Sequence, residues 1–132
     1  MIIKNIALAG HAGTGKTTLL EALLYQGGCV ERMGSVAAGT TVSDAAPEEI
    51  KRHSSVYTAT GSIMLDGQKI NLLDTPGMFD FAGGMVQGIS AADCVMITVS
   101  GKSGVRVGTK KAYRECLWSQ SWTMKTPTFI MY

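Results

Sequence analysis

Two short stretches of the chain carry side chains and glycines suited to phosphate chemistry. Gly10-His11-Ala12-Gly13-Thr14-Gly15-Lys16-Thr17, followed by Thr18, has the spacing G-x-x-x-x-G-K-[ST], that of a nucleoside-triphosphate-binding loop. Glycines let the main chain curl until successive N–H groups point at one anion. Lys16 would neutralise the outer phosphates, and Thr17 would offer its hydroxyl to Mg2+. The second stretch is Asp74-Thr75-Pro76-Gly77. Its aspartate can hold Mg2+, usually through water, and its Gly77 N–H can sense a γ-phosphate. The alternative is a tight turn with no ligand. His11, inside the first motif, reads as structural and not as a general base.

The first motif needs a strand before it and a helix after it. Ile2, Ile3, Ile6, Ala7, Leu8 and Ala9 form a short apolar run interrupted by Lys4 and Asn5, which predicts a buried strand. Leu19, Leu20, Ala22, Leu23 and Leu24 predict a helix that stops near Gly27-Gly28 and whose N-terminus adds partial positive charge to the loop. Residues 31–55 show little periodicity and include Gly34, Gly39, Thr40, Thr41, Ser43, Asp44 and Pro47, with a helical turn at 48–52. Loops of this length are functional or mobile. Residues 57–65 and 68–73 flank Asp66-Gly67, a hairpin signal that puts Asp74 at the end of the second hairpin strand. Further along, the pattern predicts a helix over 85–92 weakened by Gly88, and a buried strand over 93–100. A third helix through Val105, Thr109, Ala112, Tyr113, Cys116 and Leu117 should reach about Ser119, before a last strand at 128–132. Strands alternating with helices predict an α/β fold, a mostly parallel sheet flanked by helices, in a single domain over 1–132. Ligands of such sheets bind at the carboxyl ends of the strands, where both motifs lie.

Composition sets few further limits. The 132 residues carry a net charge of +2, so no global field demands a nucleic-acid or membrane partner; neither a membrane nor DNA is expected. Cys29, Cys94 and Cys116 are odd in number and lack metal spacing, which fits reduced thiols in the cytoplasm. No stretch is long and apolar enough to span a bilayer. Arg106, Lys110 and Arg114 recur every fourth residue beside Lys111; the stripe suits a solvated face, with Glu115 to pair Lys111, or contact with an RNA. Trp118 and Trp122 could pack on the sheet or on another part of the protein. The methionines read as core filling.

Taken together, these residues resemble the G domain of translational GTPases: elongation factor G, its elongation-factor-G-like relatives and the ribosomal protection proteins. Lys4-Asn5-Ile6 before the loop is similar to the family's opening, Gly34-Ser-Val-x-x-Gly39-Thr-Thr-x-x-Asp44 to its first switch, and Asp74-Thr-Pro-Gly-x-x-Asp80-Phe81 to its second. The resemblance implies a P-loop NTPase of the Ras-like kind that binds GTP and GDP with Mg2+. It implies hydrolysis that drives a conformational switch, and contact with the ribosome in the cytoplasm. It places Gly10, His11, Ala12, Gly13, Thr14, Gly15, Lys16, Thr17, Thr18 and Asp74 at the nucleotide. Thr17, Ser55 and Asp74 fall at the metal, and Lys16, Gly77 and Met78 at the reacting phosphate. Departures fall at key places. Gly13 stands where many members carry an aspartate, and Ser55 replaces the threonine that caps Mg2+. Met78 occupies the position of the histidine that orients the attacking water; a thioether cannot do that. Hydrolysis is therefore expected to be slow, and a nucleotide-gated binding module with negligible hydrolysis is the alternative. The guanine-reading Asn-Lys-x-Asp that follows the last strand in the family is absent, so the expectation is a G domain lacking its final strand and helix.

Overall fold

The computed structural model describes residues 2–120 and 127–131. Strand β1 (Ile3–Gly10) leads through the glycine-rich loop into helix α1 (Lys16–Gln26), and Gly27 ends that helix. The long segment contains one short helix, α2 (Pro47–Arg52), started by a proline that suits a first helical position. β2 (Ala59–Leu65) and β3 (Gln68–Asp74) form the hairpin. Asp66 and Gly67 both take positive φ, 48° and 75°, the requirement of the tight turn that matches strand twist. A 3-10 turn, Phe79–Phe81, runs into α3 (Ala82–Ala91), followed by β4 (Cys94–Val99), α4 (Val107–Gln120) and β5 (Pro127–Met131).

The sheet order is β2-β3-β1-β4-β5, parallel throughout except for β2 against β3. Helices α3 and α4 cover one face and α1 the other, and alternate residues of β1 serve the two sides. Ala7 and Ala9 join Val95, Ile97, Met85, Ile89, Ala112 and Cys116 in one core. Leu8 joins Leu20, Leu24 and Leu72 in the second. The register pairs Leu8 with Asp74 and Gly10 with Thr98, which brings both phosphate-directed motifs to the same sheet edge.

Several expected boundaries move. β2 begins at Ala59, since Tyr57 and Thr58 leave the sheet to reach Glu48 and Gly84. α3 begins three residues early, at Ala82. Gly88 is required within it, because a Cβ there would run into the Thr75 methyl. α4 starts at Val107, and its buried stripe is narrow: Thr109, Ala112 and Cys116. Small side chains let the helix sit close on Ala7 and Ala9, leaving Val105, Tyr113 and Leu117 outside. Trp118 does not pack on the sheet; it is 80% exposed. Trp122 lies outside the described residues. Met85 fills core as expected, whereas Met33 and Met64 are exposed. No helix among the described residues is long and apolar enough to cross a membrane.

Candidate functional site

The loop between β1 and α1 is held open by conformation and by β4. Gly13 and Gly15 take left-handed φ of 75° and 82°, a region that costs a residue with a Cβ. Gly10 is fixed by proximity, since a Cβ would lie 2.6 Å from the Thr98 carbonyl oxygen. The Thr14 hydroxyl turns away from the loop's interior to bridge the His11 carbonyl (2.8 Å) and the Thr98 hydroxyl (2.6 Å). Thr98, which carries no sequence signal of its own, is thus the floor of the loop. His11 also faces away: its Nδ1 accepts the Gly108 N–H at 3.2 Å. It caps a free amide in the first turn of α4 and ties the loop to that helix, the structural role its position suggests. Burial, then Arg106 and Lys16, lower its pKa, which favours the neutral ring that this hydrogen bond needs.

Lys16, Thr17 and Asp74 are buried together. Lys16 Nζ donates to the carbonyls of His11 (2.9 Å) and Gly10 (3.4 Å). Burial lowers its pKa, with Asp74 and Asp44 opposing that shift. Thr17 Oγ1 donates to Asp74 Oδ2 at 2.6 Å and lies 3.1 Å from Ser55 Oγ. The residues expected at the metal, Thr17, Ser55 and Asp74, therefore meet, although 57 residues separate Thr17 from Asp74. Asp74 Oδ1 and both carboxylate oxygens of Asp44 are buried without a hydrogen-bond partner. Burial raises the pKa of both acids, that of Asp74 to about 6; the Thr17 hydrogen bond and the Lys16 charge only partly offset it at Asp74, and the Lys16 charge at Asp44.

Buried, under-coordinated carboxylate oxygens beside two hydroxyls suit a hard divalent cation. No group of three His, Cys, Asp or Glu among the described residues could cage a metal alone. The donor set thus fits Mg2+ shared with phosphate oxygens. In front of these groups lies a cavity of about 230 Å3, walled by Ala12, Gly13, Gly15, Lys16, Thr18, Ser55, Gly77 and Met78. Gly77 presses on the loop, since a Cβ would lie 2.5 Å from Lys16 Nζ and 2.7 Å from the Ala12 nitrogen. The Met78 sulfur accepts the Ser54 hydroxyl at 3.5 Å. Its neighbours are braced by cations, Phe79 by Lys111 (4.6 Å) and Phe81 by Arg52 (5.7 Å). His53, exposed and left-handed at the end of α2, contacts the Val36 carbonyl through Nδ1 (3.2 Å).

Three acids that matter locally have no role assigned from the sequence. Asp44 appears there only as the last residue of the stretch similar to a first switch, yet it faces the cavity. Glu49 accepts the N–H groups of Ala46, Val56 and Tyr57, and Glu21 those of Gly34 and Val42. Glu21 had one available signal: an acid in an apolar helix, one turn beyond Thr17.

The pH dependence at Asp74 has a definite sign. A carboxyl raised in the folded chain favours folding below its unfolded range, and that contribution is lost as pH rises through about 6. A Mg2+ ion held here would require the anion. Its apparent affinity at fixed nucleotide is expected to climb roughly tenfold per unit between about pH 5 and 6 and then level. Asp74→Asn should flatten the profile. Magnesium titrations across this range check it, and a profile already flat in the unaltered chain would refute the assignment.

A sheet whose first strand opens into a phosphate loop, and whose neighbour ends in an under-coordinated aspartate beside that loop's threonine, defines a P-loop nucleotide-binding domain. The chain belongs to the elongation factor Tu GTP-binding domain family, which it matches over residues 1–131; it has the fold of the GTP-binding domain of translational GTPases. An elongation factor G-like protein of Mycobacterium tuberculosis is 45% identical over 114 residues, 86% of this chain and 16% of that protein. Tetracycline resistance protein TetO of Streptococcus mutans is 37% identical over 130 residues, 98% of this chain and 20% of its own length. A protein of solved structure from Thermus thermophilus superposes with a TM-score of 0.86 at 43% identity, over 89% of this chain and 18% of that one. A bacterial selenocysteine-specific elongation factor shares the fold, with a TM-score of 0.77 at 23% identity. The chain thus spans a fifth or less of the relatives named here.

Proposed function

We propose that the chain is the Mg2+-dependent GTP- and GDP-binding switch of a ribosome-associated, elongation-factor-G-like protein of the cytoplasm, and that it hydrolyses GTP slowly. The observation that carries the reading is the convergence of Thr17, Ser55 and Asp74 at the floor of a cavity lined by the phosphate loop. Main-chain N–H groups of residues 12–17 receive phosphate oxygens, and Lys16 leaves its two carbonyl partners to neutralise them. Thr17 and Ser55 would offer hydroxyls to Mg2+, with Asp74 behind them, and the ion would supply neutralisation of phosphate charge. Gly77, already against Lys16 and Ala12, would report a third phosphate through its N–H and carry Met78 and the 3-10 turn with it. The ribosome as partner rests on the family and on its named relatives.

Met78 favours a second reading, a nucleotide-gated binding module with negligible hydrolysis. Its sulfur is a weak acceptor and already engages Ser54. Fluorescent GTP and GDP titrations with and without Mg2+, followed by single-turnover hydrolysis with and without ribosomes, test both. Magnesium-dependent binding with ribosome-stimulated turnover is expected. Failure to bind either nucleotide would overturn the proposal, and binding without any stimulated turnover would leave the gated module.

A further inference from the structure

Glu21 lies one helical turn after Thr17 on α1 and is fully buried. Its carboxylate is spent on the main chain of the first switch: Oε1 accepts the Val42 N–H at 2.6 Å and Oε2 the Gly34 N–H at 3.1 Å. Between these two anchors the chain closes on itself. The Ser35 N–H donates to Thr40 Oγ1 (3.0 Å) and the Thr40 N–H to the Ser35 carbonyl (3.1 Å). Gly34 is shaped to this contact, since a Cβ would stand 2.7 Å from Glu21 Oε2 and 2.5 Å from the Thr40 carbonyl oxygen. Hydrogen bonds to an ionised acceptor are roughly twice as strong as neutral ones, and a buried carboxylate deprived of them has no water to replace them.

Residues four apart share one face of a helix. On that face of α1, Thr17 meets Ser55 and Asp74, while Glu21 meets Gly34 and Val42. One turn of a single helix therefore grips the switch segment near both its ends. Two residues beyond the Val42 anchor is Asp44, which faces the cavity with Lys16 and Thr17.

We propose that Glu21 is a positioning residue for the magnesium–nucleotide site. It pins residues 34–42 to α1 whether or not nucleotide is bound, so that only the stretch from 43 to 55 changes arrangement, and it presents Asp44 from a fixed point. The role at the site rests on the functional reading above; the pinning does not.

Two variants attack the contact from opposite sides. Glu21→Gln keeps the shape and one acceptor but turns an NH2 group towards the other backbone N–H. Gly34→Ala pushes the loop off an intact Glu21 and leaves the core alone, so it serves if the first variant folds poorly. Amide hydrogen exchange, read by NMR, should show Gly34 and Val42 protected in the unaltered chain both without nucleotide and with GDP and Mg2+. Both variants should speed exchange there about tenfold or more. GDP dissociation should rise roughly tenfold in Mg2+ but less than about twofold in EDTA, because the phosphate loop itself is untouched. A merely structural cap would shift both rates alike. Fast exchange at Gly34 and Val42 in the unaltered nucleotide-free chain would overturn the pinning. Released amides with unchanged dissociation in Mg2+ would overturn the role at the site. If the unaltered chain binds no GDP, the functional reading fails by itself, and the amide measurement still decides whether Glu21 holds the segment.

Discussion

Lys16→Ala is expected to abolish measurable nucleotide binding while leaving the fold intact. The ammonium is buried against the carbonyls of Gly10 and His11, a poor substitute for water that lowers its pKa. It is held in place for a stronger partner. Phosphate oxygens supply that partner, and removing one member of a buried charge pair costs about 3–5 kcal/mol, or on the order of 10²- to 10³-fold in affinity. The same substitution removes an under-compensated buried charge from the free chain, so circular dichroism and the melting temperature should hardly change. Isothermal titration with GDP and Mg2+ checks it. Affinity retained on protein with an unchanged spectrum would remove the central assignment of the phosphate loop.

The second large effect is a gain. Met78→His is expected to raise ribosome-stimulated GTP hydrolysis on the order of 10²- to 10⁴-fold, the range of a positioned acid–base or water-orienting group. Position is the reason. Residue 78 follows Gly77, whose main chain sits against Lys16 and Ala12, and its side chain lines the cavity that would hold the outer phosphate. Methionine spends its sulfur on Ser54, whereas an imidazole could hold a water by a hydrogen bond. Gly13 and Ser55 also depart from the family, so the lower end of the range is the firmer expectation. The measurement is a single-turnover rate at saturating ribosomes, in the protein that carries this domain. A rate no higher than that of the unaltered protein would show that Met78 does not limit the chemistry, and would favour the gated module.

Much of this molecule is written locally. The α/β alternation, the I′-type turn at Asp66-Gly67 and the stop at Gly27 follow from hydrophobic period and from turn residues whose preferences act over a few positions. So does the phosphate loop, because its glycines and its lysine act where they stand. Even the meeting of Thr17 with Asp74 was foreseeable, once both motifs were placed at strand ends of a parallel sheet. Ser55 is different: it was placed at the metal by resemblance, with no local signal. Sequence reasoning failed where burial, and not pattern, decides. The buried face of α4 is narrower than its period predicts, because period alone cannot say that Ala7 and Ala9 leave room for only a narrow stripe.

Local residue choices specify the parts: a phosphate loop, a second acidic motif, and the order of strands and helices that carries them to one edge. What surrounds them is set by packing between distant segments. It made Thr98 the floor of the loop and turned His11 towards α4. It put Asp44 at the cavity and gave Glu21 and Glu49 to the backbone of the switch segment. The physical reason is desolvation. An acid in a sequence is a solvated charge until the fold removes its water, and what it then does depends on which amides, hydroxyls or cations the fold has set within about 3 Å of its oxygens.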